Sequence, residues 1–242
     1  MGPTETAAVI LTGVFIMAMV AIAVQTAENQ RRERQLQLLA IRNQIRGTEH
    51  LLDSLPVEFQ TQALRSLMIQ TLRGLWFKAS RLDRSINLQD HITKLDEREK
   101  DPVTTPAFPA NQLTLFHDRN TAQRNRSLVR ETAQFIIELK QKNLISADAA
   151  QQQLVHLKYA YQRCNCDLVL LEAQNMLADR GAHVAIHRFR TAMMQLRRIN
   201  HNHQLEPQVL QLQQVIQQLE AEDTAAPVAK EDLVTEAKPS PL

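Results

Sequence analysis

The sequence predicts an all-α chain in which one membrane-spanning helix precedes a bundle of antiparallel helical hairpins. Glycine is scarce, with 5 residues among 242, and aromatic residues make up only 4% of the chain. Gln, Leu, Ala and Arg dominate, and all four are good helix formers. Apolar residues recur at helical spacing along most of the chain, whereas a β-rich fold would need more turn glycines and β-branched runs.

The most apolar segment is 7–24, which reads AAVILTGVFIMAMVAIAV and carries no charge. As a helix with a rise of about 1.5 Å per residue it is roughly 27 Å long, enough to cross a bilayer once. We therefore predict a short external N-terminus at 1–6 and a transmembrane helix at 7–25. A cleaved signal peptide is the alternative, because Ala21-Ile22-Ala23 resembles a cleavage site. The acidic start and the long apolar core argue against cleavage.

Charge is distributed unequally on the two sides of this segment. Glu5 is the only charged side chain before it, whereas five arginines follow within about two dozen residues: Arg31, Arg32, Arg34, Arg42 and Arg46. Basic residues near a span are retained on the cytoplasmic side. We therefore predict a single-pass protein of the bacterial inner membrane, with the N-terminus outside and the rest of the chain cytoplasmic. Arg31, Arg32 and Arg34 are expected to contact lipid headgroups.

The remainder of the chain divides by composition. Residues 28–99 are predicted to form juxtamembrane helices, the first with a coiled-coil-like seam of Leu38, Ile41, Ile45, Leu52 and Leu55. Pro56 is expected in the first turn of the next helix. Three prolines mark 100–112 as a linker. A C-terminal helical domain is predicted at 113–222. The acidic tail at 223–242 is predicted to be disordered.

Two helices should form a hairpin in the C-terminal domain. The helix from Ser146 to about Arg180 carries two apolar stripes, so we expect it to be the central helix, packed on two sides. Gly181 should end this helix at the position after the C-cap. The return helix then presents Ala185, Phe189 and Ala192 on one face.

This small-large-small spacing, with a glycine at the turn, resembles a tetratricopeptide repeat across residues 164–196. The first helix lacks the Trp, Gly and Tyr of that family, and only one repeat is visible. The resemblance implies a surface that binds peptides or proteins. A plain antiparallel hairpin packed through Ala185, Phe189 and Ala192 is the alternative.

Two groups of residues are candidate metal ligands. Cys164 and Cys166 point about 200° apart on a helix, so both cannot bind one ion, and each lies on an apolar stripe as a buried thiol would. His183 and His187 share a helix face, but no acid completes a ligand set beside them. We predict no metal, no cofactor and no catalytic residue, and nothing resembles a phosphate-binding loop or a nucleophile elbow.

The densest basic patch beyond the membrane-proximal one is Arg119, Arg124, Arg126 and Arg130. Three acids are interleaved with it, namely Asp118, Glu131 and Glu138, and the net charge of the chain is only +2. An ordinary solvated helix face accounts for this pattern, and binding of nucleic acid or anionic lipid is the alternative.

Together these features predict a non-enzymatic, membrane-anchored cytoplasmic scaffold or adaptor for protein–protein interaction. Its expected partners are the lipid bilayer and a cytoplasmic or membrane protein, with a homo-oligomer left open and nucleic acid not expected. A membrane-bound regulatory or signalling component and a membrane-tethered nucleic-acid-binding protein are the alternatives.

Overall fold

A computed structural model describes the backbone of residues 3–104, 108, 112–201 and 205–235. Side chains are described for 17, 19, 22, 24–104, 108, 112–201 and 205–224. Every regular element in these residues is helical, so the all-α prediction is confirmed. The elements are α1 (Pro3–Ser54), a 3₁₀ turn (Val57–Phe59), α2 (Gln62–Leu82), α3 (Leu88–Lys100), α4 (Arg119–Gln141), α5 (Ala147–Arg180), α6 (Ala182–Ile199) and α7 (Glu206–Thr235).

The first helix continues without interruption for 52 residues, which corresponds to about 78 Å. Its side chains from 24 to 37 are all exposed, and Ile45 is the first that is fully buried. Within the described residues, no helix has both the length and the apolar character needed to cross a membrane. Most side chains of the predicted span at 7–25 lie outside the described residues, so the span stays a prediction.

The chain divides into two units. Unit 1 comprises 1–53 and 65–102, and unit 2 comprises 54–64 and 103–242. In unit 1, apolar side chains are buried along α1, α2 and α3, including Ile45, Met68, Ile69, Leu72 and Leu95. On α3, Leu88 and Ile92 are half-buried and Leu95 is fully buried.

Ion pairs lie at the margins of unit 1. Arg73 donates to the carboxylates of Asp96 at 2.5 Å and Glu99 at 2.6 Å, which joins α2 to α3. Two further pairs are Arg42 with Asp83 and Arg98 with Asp53, at 3.1 and 3.0 Å. All of these side chains retain contact with solvent, so the polar contacts of unit 1 lie around its apolar core.

Unit 2 is built around α5, which packs against α4 on one side and α6 on the other, and α6 packs against α7. The prediction that α5 is central is therefore confirmed for this unit. Phe59 from the 3₁₀ turn is buried and meets Phe116 edge-on at 6.1 Å between ring centroids. The carbonyl oxygen of Phe59 also lies 2.9 Å from His156 Nε2 on α5. Residues 54–64 are thereby part of unit 2.

Two sequence expectations about helix ends differ from the structure. Pro56 does not begin α2, because its extended backbone, with ψ of 142°, precedes the 3₁₀ turn and α2 begins only at Gln62. The sequence predicts disorder from residue 223, whereas the backbone of α7 is helical to Thr235, since Ala, Lys, Glu and Leu, which are good helix formers, recur from Ala225 to Leu233. Residues 236–242 lie outside the described residues.

Candidate functional site

The hairpin turn depends on a single glycine. Gly181 follows α5 directly and precedes α6, with φ of 83° in the left-handed region. Its N–H donates to Leu177 O at 3.2 Å, which satisfies one of the last carbonyl groups of α5. Residues with a Cβ are strained in this conformation, so glycine is required for α6 to begin without a longer loop.

Below the turn, the hairpin is packed through an apolar core. Ala185, Phe189 and Ala192 are all fully buried on α6. They belong to one cluster with Leu170 of α5 and Leu212 of α7. The large ring of Phe189 lies between the two alanines on the same face, which lets the neighbouring helices approach closely.

The outward side of the hairpin holds a shallow, open depression with a volume of about 460 Å³. It lies where the end of α5 meets the beginning of α6, and its lining is part apolar and part basic: Met176, His183, Val184, His187, Arg188 and Thr191. The two histidines could be identified from the sequence. The depression could not, because the shape of the depression depends on the crossing of two helices.

The ionisable side chains of α6 are all basic. Its sequence from Ala182 to Ile199 contains four arginines, two histidines and no acid. Neighbouring helices supply carboxylates at the flanks: Glu172 of α5 lies 3.5 Å from Arg188, and Glu220 of α7 lies 2.8 Å from Arg190. Arg198 is exposed and pairs with no carboxylate among the described residues. The outer face of α6 therefore retains positive charge. The basic residues responsible are visible in the sequence of α6.

A buried polar cluster holds the segment before α4 against α5 and α7. Asp167 is 0% exposed, and its Oδ2 accepts from the backbone N–H of Leu115 at 2.8 Å and of Phe116 at 3.3 Å. Gln208 of α7 donates to Leu113 O at 2.5 Å. Arg163, 3% exposed, lies one turn before Asp167 on α5. Residues 113–116 are thus fastened by two helices.

The Asp167 carboxyl is electrostatically costly in this setting. Burial raises its pKa to about 6, while the charge of Arg163 and the two backbone N–H groups act in the opposite direction. Asp167 Oδ1 and Arg163 Nη1 find no hydrogen-bond partner in the described part of the chain. The burial of Arg163 and Asp167 was not predicted from the sequence, although a helix with apolar stripes on two sides can bury polar residues between them.

The cysteines are buried and not bonded to each other, as the sequence indicates. Burial raises the pKa of the Cys164 thiol to about 12 and that of Cys166 to about 11, so little thiolate forms at neutral pH. His183 Nδ1 lies 3.1 Å from Asp223 Oδ2 on α7. The sequence pattern did not predict an acid beside His183 and His187. No group of three metal-ligating side chains occurs within the described residues.

The predicted lipid-contacting residues, Arg31, Arg32 and Arg34, are exposed on α1, and their contact with headgroups stays a prediction. On α4, Arg119, Arg124 and Arg130 are exposed. Arg126 differs, because it is half-buried and donates to Asn165 Oδ1 of α5 at 3.2 Å. One arginine of the basic patch therefore takes part in helix packing.

A scan against protein-family models found no match for this chain, and searches of curated proteins and of solved structures found none either. The likeness to a tetratricopeptide repeat therefore rests on the spacing of Ala185, Phe189 and Ala192 around the turn at Gly181.

Proposed function

We propose that this protein is a single-pass membrane protein that presents a helical docking domain at the cytoplasmic face of a bacterial inner membrane. In this role it acts as a scaffold or adaptor. The observation that carries the proposal is the continuity of α1, whose backbone is helical from the apolar run at 7–24 to the packed residues after Ile45. One element thereby joins the predicted anchor to the packed residues of unit 1.

The middle of α1 supports this arrangement. Residues 25–35 read QTAENQRRERQ, and all of their side chains are exposed. A helix that is polar on all sides is typical of a stretch that bridges through solvent. Placed after a span, Arg31, Arg32 and Arg34 would lie at the level of anionic headgroups, which attract basic residues by about 1 kcal/mol each.

The surface of unit 2 favours docking over catalysis. The lining of the depression at the hairpin combines apolar with basic side chains, and α6 carries unneutralised positive charge beside it. Tethering such a surface to a membrane raises the local concentration of any protein that binds it. A scaffold needs no more than this combination of an anchor and a docking surface.

Reporter fusions test the anchor and its orientation. Alkaline phosphatase fused after residue 222 should be inactive, and a fluorescent protein at the same position should be fluorescent, because the fusion point is cytoplasmic. The matched control is Ile16→Arg in each fusion, which should reduce membrane association since an arginine at the centre of a span costs about 3 kcal/mol. An active phosphatase fusion would reverse the proposed topology, and a shortened N-terminus in mass spectra would reveal a cleaved signal peptide.

Purification after cross-linking in cells tests the adaptor role. The full chain, purified in detergent, should recover a protein partner, and nuclease treatment should not reduce this recovery. Recovery of nucleic acid that is lost at high salt would favour the nucleic-acid alternative, since phosphate contacts weaken steeply with salt.

A further inference from the structure

We propose that the outer face of α6 binds an acidic segment of a partner protein, which inserts an apolar side chain into the depression beside it. This inference rests on the proposed docking function and specifies the chemistry of the partner. The face is formed by Val184, His187, Arg188, Thr191, Met194 and Arg198, which follow one another at helical spacing on the side of α6 that faces away from the core.

Charge is the first reason. The whole of α6 lacks an acid. Of the two arginines on this face, Arg188 lies 3.5 Å from Glu172, whereas Arg198 is exposed and pairs with no carboxylate among the described residues. Arg197 donates to the neutral side chain of Gln213 at 3.2 Å. Carboxylates are the complement to such a face, because arginine binds them with paired, directed hydrogen bonds.

Apolar exposure is the second reason. Met194 is 62% exposed and Val184 is 38% exposed, although the remaining apolar residues of α6 are mostly buried. Methionine is adaptable and recurs at surfaces that bind varied apolar side chains. A depression of about 460 Å³ with Met176 and Val184 in its lining accommodates the anchor side chain of a peptide.

The chain itself supplies a precedent for acidic helices on α6. Glu220 and Asp223 of α7 are three positions apart and so share a face of that helix. They meet Arg190 at 2.8 Å and His183 at 3.1 Å, respectively, along one flank of α6. An acidic helix from a partner would repeat this pattern on the outer face, which α5 and α7 leave open.

Polyanions fit the face less well than an acidic protein segment. Glu172 and Glu220 lie beside the arginines at the two flanks of α6, so the face offers separate basic side chains and not the continuous basic surface that a phosphate backbone or an anionic bilayer contacts. An apolar depression also has no role in contacts to phosphate, which are electrostatic and insensitive to sequence. A partner with spaced carboxylates and an apolar anchor uses both features.

Fluorescence anisotropy with the full chain in detergent tests this proposal. The probe is a fluorescein-labelled peptide of about 16 residues, some four turns, with leucine at helical spacing and glutamate elsewhere. The control peptide replaces each glutamate with lysine. We expect the acidic peptide to bind with a Kd in the micromolar range and the basic peptide to bind at least about tenfold more weakly, a difference of roughly 1.4 kcal/mol.

Variants of exposed residues locate the site. Arg198→Glu and Met194→Ser should each weaken binding of the acidic peptide by about tenfold or more, and Arg198→Glu should improve binding of the basic peptide. Arg130→Glu, an equal change of charge on the exposed face of α4, should leave both affinities within about twofold. Because all three side chains are exposed, we expect unchanged helical circular dichroism.

Three results would overturn the proposal. The first is that the acidic peptide does not bind the wild-type chain. The second is that Arg130→Glu weakens binding of the acidic peptide as much as Arg198→Glu does. The third is that oligo(dT) or phosphatidylglycerol vesicles displace the peptide in an Arg198-dependent manner. The last result would assign the face to a polyanion. Failure of the topology fusions with peptide binding intact would refute the anchor alone, whereas correct topology without peptide binding would refute only this partner chemistry.

Discussion

Units 1 and 2 are both helical, but they place their charged groups differently. In unit 1, Arg73 and its two carboxylates lie at the edge of the core, and the exposed fractions of the three side chains are 28–46%. In unit 2, Arg163 and Asp167 are almost fully buried between helices. Exposed pairs typically contribute about 0–1 kcal/mol to stability, whereas a buried polar group that loses an interacting neighbour typically costs about 1–3 kcal/mol. The stability of unit 2 should therefore depend more strongly on individual residues and on pH.

The largest effect is expected from Phe189→Ala. Truncation of a buried phenylalanine removes apolar contacts and leaves a cavity, at a cost of about 3–5 kcal/mol in the free energy of unfolding. Chemical denaturation of the full chain in detergent, followed by circular dichroism, should show this loss. The fluorescence of Trp76, the only tryptophan and a residue of unit 1, should respond less. Met194→Ala on the exposed face is the control, and equal effects of the two variants would refute the hairpin packing.

Arg163→Met should destabilise unit 2 by a smaller amount, about 1–3 kcal/mol. The variant retains the length of the aliphatic stem but removes the positive charge that lowers the pKa of the buried Asp167 carboxyl. The double variant Arg163→Met, Asp167→Leu should recover most of this loss, because it removes both charges. If the double variant is as unstable as the single one, the loss reflects packing and not the charge pair.

Asp167→Asn should change the pH dependence of stability. The Asp167 pKa is about 6 in the folded chain and about 3.9 in the unfolded chain. Between these values the folded state binds more protons, so the free energy of unfolding should increase as pH falls from 8 to 5, by about 1 kcal/mol. Urea denaturation at both pH values measures this increase, which the asparagine variant should lose. A wild-type chain that is less stable at pH 5, with the same trend in the variant, would contradict the assignment.

Gly181→Ala should destabilise the hairpin by about 1–3 kcal/mol, because alanine is strained at the observed φ of 83°. Gly47→Ala provides a matched control, since Gly47 lies within α1 with no neighbouring atom within 4 Å of an added Cβ. There alanine should stabilise the helix by up to about 1 kcal/mol. Thermal melts should shift in opposite directions, and a shift in the same direction would contradict the role of Gly181 in the turn.

The smallest effect is expected from Arg73→Gln in unit 1. Its contacts with Asp96 and Glu99 are close but partly solvated, so the loss should be about 1 kcal/mol or less. The difference from wild type should shrink further in 1 M salt, because screening weakens exposed pairs. A loss as large as that of Arg163→Met would remove the distinction between the two units.

Several features of the fold could be predicted from residues close together in the sequence. Asp118 and Ser146 accept hydrogen bonds from backbone N–H groups three residues ahead, as their positions before α4 and α5 indicate. Gly181 ends α5, and the spacing of Ala185, Phe189 and Ala192 identifies the buried face of α6. These signals are complete within one or two helical turns, so they need no knowledge of distant partners.

Other features depended on which helices pack together. Val184 and Arg188 line a depression only because Met176 at the end of α5 is folded back beside them. Pro56 was expected to begin a helix, yet its segment forms a short turn whose Phe59 packs on Phe116. Local patterns contain neither the crossing of two helices nor a contact between residues more than fifty positions apart.

The sequence by itself determined that this protein is helical, where α5 begins and ends, and which stripe of α6 is buried, because hydrogen-bonded caps and helical periodicity are local. Only the tertiary structure decided that Arg163, Asp167 and Gln208 are buried together. Their burial requires α5 to be covered on two sides and the segment 113–116 to return across it. A polar residue on a helix is exposed or buried according to its neighbours in space, and those neighbours come from distant parts of the chain.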